Sequence, residues 1–164
     1  MSSEIERLEE QLRRCFEGGA WHGPAVLEAL EDVLPQEAHA HPIAGAHSIW
    51  DLVLHLAGTY RLVLRRLTGD STPLAPEQDW PTVPSPTAND WREAVQALRQ
   101  LNQDLRRSVR SFPEDRLDEP LPADCPYTAH TQFIGLTQHD LYHAGQMVLL
   151  KRAFRAVRQN SRHG

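Results

Sequence analysis

The chain has 164 residues, with 17 Lys and Arg against 22 Asp and Glu, for a formal net charge of -5. That length suits one domain, read here as a single unit over 1–164, and the acidic balance argues against nucleic acid as a partner, because neutralising phosphates takes clustered cations. No apolar run approaches membrane-spanning length, the first ten residues lack the basic and apolar regions of a secretory signal, and Cys15 and Cys125 stand far apart. The expectation is therefore a cytoplasmic protein, with no membrane partner and no disulfide framework.

Ile5, Leu8, Leu12 and the Cys15/Phe16 pair follow helical spacing, and Gly18-Gly19 stops the run. Pro24 is placed to begin a second, short helix carrying Leu27, Leu30 and Leu34, with Pro35 ending it. Residues 36–47, with His39, His41, Pro42 and Gly45, read as a connection, with His39 and His41 facing solvent. Ser48, or His47 beside it, caps the third helix, in which Ile49, Val53, Leu56, Tyr60, Val63 and Leu67 step by four and three until Gly69. His55 adjoins this stripe and points inward.

From Asp70 to Ala88 five prolines, Pro73, Pro76, Pro81, Pro84 and Pro86, predict a long irregular connection, which Trp80 can anchor to the body of the protein. Trp91, Val95, Leu98, Leu101, Leu105, Val109 and Phe112 mark a fourth helix, with Asn89 or Asp90 as its cap and Pro113 as its terminator. Residues 113–127 hold Pro113, Pro120, Pro122 and Pro126 and predict a second link, with room for a short strand near Leu117 or Leu121. The last helix is placed from about Thr131 through Phe154 and is expected to be the most buried element. His130 reads as a loop residue before it, and His163 as a tail residue. Arg65-Arg66, Arg106-Arg107 and Lys151-Arg152 with Arg155 and Arg158 are read as cations complementing helix ends. Few alternating β-branched runs occur, so the fold class is all-α, a bundle of about four long helices.

The last helix carries Gln138-His139-Asp140-Leu141-Tyr142-His143-Ala144-Gly145-Gln146-Met147. A step of four advances about 400°, so His139 and His143 share a face one turn apart, interrupting a stripe that includes Leu136, Gln146 and Leu150. Two imidazoles so placed can grip one ion; two satisfied core or surface histidines are the equal alternative at this point. His55 lies 84 residues upstream of His139, and packing of the third helix on the fifth can oppose them. Three neutral imidazoles would leave coordination positions open, as reactive centres do. A zinc-protease reading of the His-Asp-Leu-Tyr-His run departs from His-Glu-x-x-His at Asp140, whose short side chain reaches less far as a general base. Cys125 lacks a matched base for nucleophilic work.

The segment Ser48-Ile49-Trp50-Asp51-Leu52-Val53-Leu54-His55, followed by His139 through Gln146 and preceded by Trp21-His22-Gly23-Pro24, resembles the DinB/YfiT-like family, whose members are regarded as metal-dependent enzymes. The resemblance implies a four-helix bundle in up-down-down-up order, with a short extra N-terminal helical segment and the Pro-rich middle connection. It also implies a divalent metal, zinc or nickel first among the candidates, on His55, His139 and His143, and a homodimer. Better understood relatives use the ion to activate a low-molecular-weight thiol of the bacillithiol or mycothiol type toward an electrophilic small molecule. A thiol transferase is thus the leading expectation; a non-catalytic metal-binding or stress-associated interaction protein is the alternative, and a metal-dependent hydrolase comes third. Asp51, one turn before His55, is a candidate to orient that imidazole, Tyr142 and Gln146 to touch a ligand, and His22 to approach the ion, although a helix-entry role suits His22 as well.

Overall fold

The computed structural model describes residues 2–83 and 87–160. Among them are seven α-helices and no named strand: α1 (Glu4–Glu17), α2 (Val26–Leu30), α3 (Pro35–His39), α4 (Ile49–Leu67), α5 (Pro76–Asp79), α6 (Ala88–Arg110) and α7 (Ala129–Asn160). The readings of Pro84, Pro86 and His163 lie outside the described residues.

Local chemistry sets the helix starts. Ser48 Oγ accepts from the Asp51 N–H at 3.1 Å while the Asp51 carboxylate accepts from the Ser48 N–H at 2.8 Å, a reciprocal pair that leaves His47 out of the cap. Ser3 and Glu6 repeat the arrangement on α1. On α6 the cap is Thr87, with Asp90 the third helical residue that answers it, so neither Asn89 nor Asp90 is itself the cap.

Several boundaries depart from expectation for physical reasons. Pro35 begins α3 instead of ending a longer helix, because a proline suits the first helical position as well as the place after a last one. Leu34 is consequently exposed, and part of the 36–47 connection is helical. The middle connection contains one helical turn, α5. The strand expected near Leu117 or Leu121 is absent: a 3-10 turn spans Glu114–Arg116 and a single bridge joins Pro120 to Thr128, since Pro120 and Pro122 lack the N–H groups a ladder needs. The last helix begins at Ala129, which puts His130 in its first turn, and continues to Asn160.

The core runs between the long helices through Leu12, Phe16, Val53, Leu56, Tyr60, Leu98, Leu105, Val109, Phe133 and Met147. At its centre is α4, with 10 of 19 residues buried against 9 of 32 in α7, so α4 and not the last helix is the most enclosed of the long helices. Arg65 and Arg66 lie in the last turn of α4, Arg107 in that of α6 and Arg158 in that of α7, as expected, and other cations tie elements together. Buried Glu9 of α1 accepts from Arg106 at 2.7 Å and from Arg110 at 2.5 Å on α6, while Lys151 and Arg155 fasten α7 to Asp32 and Glu37 at 2.7 Å each.

Candidate metal centre

Two helices bring three imidazoles together. Nε2 of His139 lies 3.0 Å from Nε2 of His55 on α4 and 3.1 Å from Nε2 of His143, one turn further along α7. Ligand atoms of one ion, each about 2.0–2.1 Å from it, would be spaced on this scale. Among the described residues these three form the one group of His, Cys, Asp and Glu side chains close enough to share an ion.

The partners of the outer ring atoms define the tautomers. His143 Nδ1–H donates to Gln146 Oε1 at 2.6 Å. His55 Nδ1–H faces Asp79 Oδ1 at 2.8 Å and the Asp79 main-chain oxygen at 3.2 Å. With their protons on Nδ1, both rings aim bare Nε2 lone pairs at His139. Its Nε2 can donate to only one of them, and if it too is bare its own Nδ1–H, which is buried, has no protein partner among the described residues. A set of converging acceptors short of a donor suits a cation. Burial, reinforced by the neighbouring imidazoles of His143 and His55, pulls the His139 pKa down to about 4, and burial likewise lowers that of His143. Both rings are therefore neutral at pH 7, the form a metal requires.

Aromatic packing closes one flank. Trp80 stacks on His55 with centroids 4.1 Å apart and planes 3° from parallel, and His47 stacks on Trp80 at 3.6 Å and 8°. Tyr142 is exposed beside the centre, its ring 5.0 Å from that of His143 and nearly perpendicular to it.

Asp140 points away from this centre. Its buried carboxylate accepts from Tyr60 Oη at 2.7 Å and from the Cys15 thiol at 3.4 Å, so it cannot act as a base at the histidines. Burial raises its pKa to about 7 in spite of those two bonds, and burial next to Asp140 also pushes the Cys15 thiol up. A half-turn separates the faces: residues 139 and 143 look toward α4, whereas Thr137 and Leu141, two positions away, line a cavity with Cys15, Trp21 and His22. His22 therefore lies across α7 from the three rings. Asp51 is engaged by Ser48 and sits 3.4 Å from His41, and the carboxylate that reaches His55 is Asp79. His41 is exposed, His39 packs edge-on to Trp50, His130 faces Glu4 at 3.5 Å, and Cys125 meets Gln132 at 3.8 Å.

Sequence reasoning missed Asp79 and gave Gln146 only as a ligand contact. Asp79 follows a proline-rich run and belongs to no periodic stripe, so spacing could not mark it; Gln146, three residues after His143, had the helical spacing that gives its role away. A family model described as the DinB superfamily matches residues 20–147, most of the chain. No curated protein and no solved structure matches.

Proposed function

The chain belongs to the DinB superfamily, and from that premise we propose that His55, His139 and His143 hold one divalent ion, zinc or nickel, which serves the transfer of a low-molecular-weight thiol of the bacillithiol type to an electrophilic small molecule. The observation that carries this reading is the donor-poor meeting of three Nε2 atoms, with no fourth ligand-forming side chain grouped with them among the described residues. Structural sites usually close with four protein ligands, and catalytic ones keep three and leave a position for substrate. The thiol rests on the family likeness, as do an up-down-down-up bundle and a homodimer; a cytoplasmic setting rests on the cysteine usage.

An ion held by neutral imidazoles keeps its charge and lowers the pKa of a thiol that shares it. The side chains of the protein supply position: Gln146 fixes the ring of His143, and Asp79 and Trp80 fix that of His55. In the transfer the thiol S–H releases its proton to solvent, sulfur forms the new bond to carbon, and the leaving group departs with its electron pair. The test is consumption of an alkyl or aryl halide by the metal-loaded protein with and without bacillithiol. Turnover should require the thiol and fall to background in His55→Ala; equal turnover without thiol, or in the variant, would overturn the reading.

A further inference from the structure

Residues 74–80 fold back over α4 beside His55. Gly58, three positions beyond that histidine, makes the approach possible, because a Cβ there would lie 2.8 Å from the Gln78 main-chain oxygen and 3.7 Å from Leu74 Cδ1. The first distance is a clash with backbone, which cannot swing aside as a side chain would. At this depth Asp79 offers His55 Nδ1 two acceptors, and Trp80 lies flat between His55 and His47.

We propose that Asp79 is a positioning residue of the centre, holding His55 as the Nδ1–H tautomer with Nε2 turned inward, and that docking of 74–80 on α4 and binding of the ion are one coupled event. The proposal rests on the reading of the three histidines as a cation site. An isolated neutral imidazole divides its proton between two nitrogens and rotates about its side-chain bonds. A carboxylate 2.8 Å from Nδ1 selects one tautomer through a charge-assisted bond, and the indole stacked on the ring restrains its plane. Partners of this kind typically change metal affinity by about 10–100-fold. Coupling is reciprocal, so an ion that tightens on His55 must steady 74–80 by the same factor.

Three variants and three readouts test this. In metal-free protein, 15N imidazole spectra should show His55 as Nδ1–H in the wild type and as a tautomer mixture in Asp79→Ala. Co²⁺ affinity, measured by chelator competition, should fall by about 10–100-fold in Asp79→Ala and less in Asp79→Asn, which keeps an acceptor oxygen. It should also fall in Gly58→Ala, although alanine is the better helix former. Amide exchange over 74–80 should slow on adding Co²⁺ to the wild type and not to Asp79→Ala. A His55 that is Nε2–H in the wild type overturns the proposal whatever the metal does. Wild-type affinity in Asp79→Ala overturns it while leaving the cation site standing, and failure of the wild type to bind Co²⁺ overturns both.

Discussion

At the residue scale, His139 and Asp140, neighbours on α7, enter different surroundings, one among imidazoles and the other against Tyr60 and Cys15, and titrate with opposite consequences. Asp140 is raised to about 7 from an ordinary 3.8, so as pH falls through 7 the folded chain takes up a proton that the unfolded chain takes up only near 3.8, and stability is gained. His139 is lowered to about 4 from 6.5, so as pH falls below 6.5 the unfolded chain takes up a proton that the folded chain refuses, and stability is lost. In metal-free protein the two slopes oppose across the same window. Asp140→Asn removes the gain, and its urea midpoint should drop more steeply than that of the wild type between pH 7 and pH 5. His139→Ala removes a loss, and its midpoint should rise over that interval. Parallel profiles for all three proteins would show that neither group is set by its burial. The histidine pair was legible because helical spacing alone puts residues 139 and 143 on one face. The Tyr60–Asp140 bond was not, because both residues sit within apolar stripes where an inward polar atom leaves no periodic trace.

At the scale of elements, each long helix depends on a start signal and a buried stripe. Ser48→Ala deletes the oxygen that accepts from the Asp51 N–H at the head of α4 and should destabilise the protein by about 1 kcal/mol. Leu105→Ala, which empties a fully buried position on α6, should cost about 2–5 kcal/mol. Urea unfolding of the two variants checks both values; equal losses would mean that the cap or the cavity has been misplaced. The stripes of α1, α4 and α6 were readable because each faces one core throughout its length. The 24–39 region was not, since Pro35 can close one helix or open the next and only tertiary packing decides between them. The role of α5 was hidden for a different reason: a single turn carries too few residues to establish a period.

For the molecule as a whole, the fold joins α4 and α7 so that side chains 84 residues apart meet. A ligand that binds only this folded arrangement stabilises it by mass action, by about 2.7 kcal/mol at a free concentration 100 times its Kd. The melting temperature should therefore rise on adding Zn²⁺ or Ni²⁺ and return to its starting value with chelator, and it should not respond in His143→Ala. The all-helical class followed from periodicity and proline placement. The convergence of the three rings depended on how two distant helices pack, for which the sequence offered inward-facing positions but no distance. The most direct measurement is elemental analysis of the purified protein beside the His55→Ala, His139→Ala and His143→Ala variants, each first shown by circular dichroism to keep its helices. The account predicts one transition-metal ion per wild-type chain and almost none in any variant; a metal-free wild type in metal-replete medium, or variants with undiminished metal content, would contradict it.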